Sequence, residues 1–272
     1  MPHPHHQKTL DHAPNKSGRP KIINRFLEHL HDSEMWSSYL PRIPGRLYLL
    51  AFLGLSLGAS SFWALQNGQT ALALMGLGLG VLLVLPLILV GLLVRWRWTF
   101  RSSLRRQMLD SISWRGDEKV LDVGCGNGLL LNGVAMRLKN GKAVGIDIWA
   151  PHSGGGNIDL LWKNARLEKV ADRIEFKEAD ARQMPFESGT FDVVVSSGAV
   201  HHISRTQADF EQALHEMIRV LKPGGQIVIW DVAHIVNACA ARMRSAGVEC
   251  DVKETGRFLN YDMGIVFGKK AG

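Results

Sequence analysis

From Leu47 to Val94 the chain carries no Asp, Glu, Lys, Arg or His, an uncharged run of 48 residues in a sequence of 272. Nothing else in the sequence limits the possible folds so strongly. A backbone in hydrocarbon must satisfy its own N–H and C=O groups, and a helix does so with about 20 apolar residues per crossing. Two stretches meet that length, 47–65 and 71–94, separated by Gln66, Asn67, Gly68, Gln69 and Thr70. The pattern predicts a transmembrane hairpin of two helices over 47–94. A pair of buried helices in a soluble core is the competing reading, and an uncharged run of this length is rare there. Gly54/Gly58 and Gly76/Gly80 stand at the spacing that lets helices approach closely, and Pro86 is a candidate kink.

The formal net charge of +7 is distributed unevenly. Residues 1–46 carry 7 basic against 4 acidic side chains, residues 95–115 carry 6 against 1, and residues 116–272 carry 19 against 20. The basic excess therefore flanks the apolar run, which points to a lipid bilayer and gives nucleic acid little support. Arg42 and Arg46 before the run, and Arg95, Arg97, Arg101, Arg105 and Arg106 after it, place both ends in the cytoplasm under the positive-inside rule. Trp96 and Trp98 fit an interfacial belt, with the arginines at anionic headgroups. Residues 95–115 read as a basic linker helix.

Residues 1–46 read as a cytosolic tail. Its first 20 residues are rich in His, Pro and Lys without apolar periodicity, and 21–40 have the pattern of a helix lying on a membrane. His3, His5, His6 and His12 have no spacing that fixes a metal geometry, so no metal site is assigned. The three cysteines likewise show no metal-ligand spacing. The first apolar stretch begins far from the N-terminus, so no cleavable signal peptide is expected.

The chemistry-bearing half, 116–272, opens on Val120 to Gly128, a strand pattern ending in Asp122 and then in Gly124, Gly126 and Gly128 around Cys125. A helical pattern follows at once. A strand that breaks into a glycine loop and re-enters a helix offers backbone N–H groups to a ligand without side chains in the way. Asp122 at the strand end can hold a cationic amine. A nicotinamide fingerprint requires G-x-G-x-x-G, and its third glycine position is Leu129 here. Strand candidates are 119–123, 143–148, 174–178, 191–196, 226–231, 249–254 and 261–268, with helices over 128–139, 157–168, 206–221 and 235–246. Alternation of this kind gives a parallel sheet covered on both faces, and the short link between the last two strands makes them an antiparallel pair.

The glycine run resembles motif I of the class I S-adenosylmethionine-dependent methyltransferases. The resemblance extends over about 115–268. It continues through Val144–Asp147 with Ile148 and Trp149 after it, Glu178–Ala181, Met184–Phe186, Phe191–Val195, the segment Ser196–His202 that includes Ser197, and Leu221–Gly225. It implies a Rossmann-like, doubly wound α/β fold with a seven-stranded sheet and an antiparallel last strand. It also implies S-adenosylmethionine as cofactor. Asp147 would then accept from the ribose hydroxyls and Trp149 pack on the adenine. Asp180 would accept from the adenine amine, and the Ala181 N–H would donate to the ring. Most of the pattern is similar to the branch that holds quinone-biosynthesis and sterol-type methyltransferases. The membrane anchor is an architectural likeness to membrane-associated thiol methyltransferases.

A base is needed only where the acceptor carries a proton of high pKa. Such a group belongs at the carboxyl end of the fourth strand, where His201 and His202 stand, and Asp231 after the fifth strand is a lesser candidate. Asp231 is followed closely by a helix pattern and the final hairpin reads as short. A lid would therefore come from 95–115, from 151–157 or from the membrane surface. The sequence thus predicts a membrane-anchored methyltransferase, its catalytic domain cytoplasmic, acting on a small or lipid-soluble acceptor. A non-catalytic S-adenosylmethionine-binding scaffold or sensor is the alternative. The acceptor and the methylated atom (O, S or C) are not legible.

Overall fold

The computed structural model describes residues 45–149, 157–204, 206–258 and 260–272. The interfacial helix predicted at 21–40, the histidine cluster of the tail and most of the 151–157 loop lie outside the described residues.

Two helices precede the sheet, α1 (Gly45–Gln66) and α2 (Thr70–Asp110). Both are long and apolar enough to cross a membrane. They pack on each other at their small residues: a Cβ on Gly76 would stand 2.3 Å from Ser61 Oγ, and one on Gly54 would stand 2.5 Å from Val84 Cγ2. Their outward faces leave Phe52, Leu74, Met75 and Leu82 exposed. α2 runs unbroken through Pro86 for 41 residues, about 61 Å at the helical rise. The predicted second span and the linker are therefore one rod. Its first 25 residues, Thr70 to Val94, are about 37 Å long against a hydrocarbon core of about 30 Å.

The remainder of α2 is part of the domain. Leu104, Met108 and Leu109 are buried, as is Trp98, so Trp98 does not belong to an exposed belt. Arg105 does not reach outward either: it donates to the Leu129 carbonyl at 3.3 Å and pairs with the buried Glu168 at 2.9 Å.

The domain alternates β1 (Lys119–Val123), α3 (Leu129–Arg137), β2 (Lys142–Asp147), α4 (Ile158–Leu167), β3 (Ile174–Glu178), β4 (Phe191–Ser197), the single turn α5 (Val200–Ile203), α6 (Gln207–Val220), β5 (Leu221–Val232), α7 (Ala233–Ser245), β6 (Val248–Phe258) and β7 (Tyr261–Lys270). The sheet order is β3-β2-β1-β4-β5-β7-β6, with β7 antiparallel to both of its neighbours. This is the predicted seven-stranded, doubly wound sheet. Alternating strand residues feed two cores. Leu121, Val123, Ile146 and Val194 face a cluster with α6 and α7, while Val120, Ala143, Val193 and Val195 face one with α3, α4 and the end of α2.

Two differences from the sequence reading matter for the site. Leu221 pairs with Phe191 and Gln226 with Val193, so 222–225 bulge out of β5 as the predicted turn. The β6–β7 hairpin is longer than predicted and only two residues join its strands. β5 pairs with β7 as far as Val232–Met263, and β6–β7 pairing continues beyond it through Arg257–Asp262 and Phe258–Tyr261. The hairpin tip thus overhangs the carboxyl edge of the parallel strands. There Phe258 stacks on Trp96 and on Phe100 of α2, with centroids 5.9 and 4.9 Å apart, and Phe100 lies 6.1 Å from Trp230. At the other end of the docked segment, Ser113 exchanges hydrogen bonds with Gln226, the first β5 residue after the bulge. α2 therefore enters at the carboxyl edge and leaves at the amino edge.

Candidate active site

The order of the sheet reverses between β1 and β4, which opens a crevice at their carboxyl ends where α/β folds bind ligands. β1 delivers the glycine loop to this crevice. The N–H groups of Gly124 and Cys125 donate to the Ile146 carbonyl at 2.9 and 3.1 Å, which ties the loop to β2. Gly124 has φ +73°, and a Cβ there would lie 2.3 Å from that of Ala199, so only glycine admits the segment after β4 this close. Gly128, at φ +83°, caps α3.

Asp147 ends β2 and braces the loop. One of its oxygens accepts from Gly126 N–H and the other from Trp149 N–H, each at 2.8 Å. Each oxygen retains a lone pair for a further donor. Asp122 is the opposite case. It is 1% exposed and neither oxygen has a hydrogen-bond partner. Burial, then the neighbouring Asp147, push its carboxyl up to about 8, while the Leu131 N–H approaches outside hydrogen-bond geometry and opposes the shift weakly. A buried carboxylate without a partner is unfavourable unless a cation joins it.

The remaining predicted residues are distributed around this centre. The Cys125 thiol is buried and its pKa is held well above the ordinary value, chiefly by desolvation, so it is a filling group beside Gly145. Ile148 is half exposed at the crevice, whereas Trp149 turns its indole onto Phe176, with centroids 4.5 Å apart, and leaves its Nε1 buried without a partner. The apolar surface presented outward here is thus Ile148, and at least one indole face is covered. Asp180 is clamped by Arg182, whose backbone N–H, Nε and Nη2 all reach it between 2.7 and 3.1 Å. The same Arg182 reaches Asp209 at 2.5 Å. These bonds hold the Asp180 carboxyl below its ordinary range and occupy most of its lone pairs. Ala181 is buried beside it, and Ser197 ends β4 half-buried opposite Trp230. Sequence reasoning missed Arg182, although a cation two residues after an acid was a legible signal.

On the other side of the crevice, His201 Nδ1 lies 2.7 Å from Asp231 Oδ1, and the His201 backbone N–H donates to Oδ2 at 3.2 Å. Asp231 is fully buried and also accepts from Val232 N–H at 2.7 Å. The hydrogen bond to Asp231 raises the His201 pKa against the opposing effect of burial. His202, whose ring centroid is 3.9 Å from that of His201, is shifted the other way, by desolvation and then by its neighbour's charge. No group of three or more potential metal ligands occurs among the described residues.

Residues 121–229 match the model of the family described as a methyltransferase domain. Over these residues the chain is similar to methyltransferase domains. Similar proteins include the ubiquinone/menaquinone biosynthesis C-methyltransferase of Ruegeria sp. (strain TM1040). That match is 30% identical over 130 residues and covers 48% of each chain. The erythromycin 3''-O-methyltransferase of Saccharopolyspora erythraea is 35% identical over 132 residues, 48% of this chain and 40% of that one. The chain thus spans about half the length, or less, of these curated relatives. Among solved structures, the [4+2]-cyclase SpnF has a TM-score of 0.52 at 17% identity, covering 62% of this chain and 81% of that one. The geranyl diphosphate C-methyltransferase of Streptomyces coelicolor A3(2) has a TM-score of 0.50 at 14% identity, covering 62% and 79%. These likenesses show the fold of the α/β domain. One of these two proteins is a cyclase, so the shared fold leaves the reaction to the chemistry of the site.

Proposed function

We propose that this chain is a membrane-anchored S-adenosylmethionine-dependent methyltransferase that transfers a methyl group to a small or lipid-like acceptor. The observation that carries the reading is Asp122. A cofactor with an α-ammonium supplies the cation that this buried carboxylate lacks, and the glycine loop beside it offers N–H groups and a helix N-terminus to a carboxylate. In this reading Asp147 accepts from the ribose hydroxyls, Ile148 supports the adenine, and Ala181 and the Arg182-braced Asp180 line its edge. Bound S-adenosylmethionine supplies an electrophilic methyl group. The residues of the chain align it, shield it from water and accept the acceptor's proton at His201 or His202.

The direction of α2 supports the anchor. Its apolar half projects beyond the carboxyl edge of the sheet, the edge that bears the crevice, so a bilayer holding the hairpin would lie on the substrate side. Trp96, Phe100, Phe258 and Trp230 form a continuous aromatic wall between the two. Both termini of the hairpin, and the catalytic domain, are cytoplasmic in this reading.

The test uses the full chain in vesicles. Calorimetry should show S-adenosylmethionine binding in the wild type and no measurable binding for Asp147→Ala or Gly126→Arg at preserved melting temperature. Unaltered binding in both variants would sink the site. The protein should also stay with the lipid pellet after alkaline carbonate; release into the supernatant would remove the anchor.

A further inference from the structure

We infer that the acceptor is a hydroxyl compound methylated on oxygen, and that Asp231 positions His201, rather than His202, as its base. This rests on the methyltransferase reading above and names its substrate class.

The geometry is that of a base held from behind. A carboxylate only accepts hydrogen bonds, so the Nδ1 facing Asp231 carries the proton and the Nε2 lone pair is free. Asp231 cannot swing away, because it is fully buried and holds both the backbone and the ring of His201 as well as Val232 N–H. The His201 side chain remains one-third exposed, so Nε2 is open to an incoming molecule. Ala199, two residues earlier, abuts Gly124 of the cofactor loop and brings the base beside the cofactor crevice. His202 has the exposure, but Asp231 acts on it only through space and makes no hydrogen bond to its ring. The ionisable group acting on His201 is Asp231 from β5, and His201 in turn lowers the pKa of His202 beside it.

Such a base serves an acceptor that is poorly nucleophilic while protonated. A thiol, at a pKa near 8.5, is already partly ionised at neutral pH, whereas a phenol near 10 or an alcohol above it is not. As the acceptor oxygen bonds to the methyl carbon, the bond from that carbon to the sulfonium sulfur breaks and its electron pair stays on sulfur. The hydroxyl proton passes to His201 Nε2 and then to solvent. The products are a methyl ether and S-adenosylhomocysteine, and the charges balance.

The experiment takes the full-length protein in vesicles with methyl-tritiated S-adenosylmethionine and a native membrane lipid extract as acceptor source. The labelled product is cleaved with hydriodic acid, which releases ether methyl groups as methyl iodide. We expect release of the label, a loss of about 100-fold or more in turnover for His201→Gln at unchanged cofactor affinity, and about tenfold or more for Asp231→Asn. The alkaline-rising limb of the rate should move to lower pH in Asp231→Asn. Independently of turnover, ring-nitrogen NMR should show the His201 pKa falling in Asp231→Asn while that of His202 moves less. A label that resists hydriodic acid, wild-type turnover in His201→Gln, or an unmoved His201 titration would each overturn the inference. Failure of the wild type to bind S-adenosylmethionine by calorimetry would instead defeat the underlying methyltransferase reading, and the NMR arm would still decide the dyad.

Discussion

Asp122 and Asp231 are both buried aspartates near the carboxyl ends of parallel strands, yet one is alone and the other is fully engaged. Neither oxygen of Asp122 has a hydrogen-bond partner, and burial with the nearby Asp147 pushes its carboxyl up to about 8. Asp231 accepts two bonds from His201 and one from Val232. The difference shows how a single sheet divides its work. The β1 side leaves a carboxyl without a hydrogen-bond partner, which in the proposed function the cofactor's ammonium would ionise and pair. The β5 side satisfies its charge internally and so fixes the direction of a base. Desolvation alone would disfavour either carboxylate; the partners decide which becomes a binding determinant and which a positioning one.

The contrast can be broken in graded steps. The largest effect should fall on turnover when the held base is removed: His201→Gln loses on the order of 10²–10⁴, whereas His202→Gln loses less than about tenfold. Equal losses would erase the distinction between the histidines. Asp122→Asn should come next. It removes the charge that meets the ammonium, and cofactor affinity should fall about 10- to 100-fold by calorimetry, the worth of one charged hydrogen bond. An affinity within threefold of wild type would mean that the carboxylate has another purpose.

A third effect falls on the stability of the ligand-free protein and leaves turnover aside. The pKa of Asp122 is raised from 3.8 to about 8, so between these values the folded state binds more protons than the unfolded one. Stability from this group is therefore greatest below about pH 4, falls as pH rises and is lost above about 8. Asp122→Asn should be more stable than wild type at pH 8.5, with the gap narrowing as pH falls toward 4 in urea denaturation. Saturating S-adenosylmethionine should favour the wild type instead. A gap independent of pH would contradict the assignment.

Much of the domain was legible because its signals are local. Lys119–Val123 and Ile174–Glu178 were read with correct bounds from alternation and turn residues, and the glycine loop from its spacing. What escaped depended on contacts far apart in sequence. The junction at Val94 looked like a boundary, since charge begins there, yet helical propensity does not stop and α2 continues to Asp110. Arg105 and Trp98 read as lipid-facing because their sequence neighbours are basic and aromatic. Glu168, 63 residues from Arg105, turns the guanidinium inward. The Phe258 end of the hairpin lacked an apolar pattern of its own and is ordered by stacking on α2.

By itself the sequence determined that two apolar helices precede an α/β domain, and that a strand, a glycine loop and a helix form a ligand-binding turn. These follow from periodicity, charge and the conformational freedom of glycine, which act over a few residues. Only the tertiary structure decided that Asp122 has no partner while Asp231 holds His201, that Trp149 lies against Phe176, and that the apolar half of α2 leaves from the crevice edge. The physical reason is burial. Whether a charge is left unsatisfied, and which ring face stays open, is set by which distant groups packing brings within hydrogen-bond or van der Waals reach.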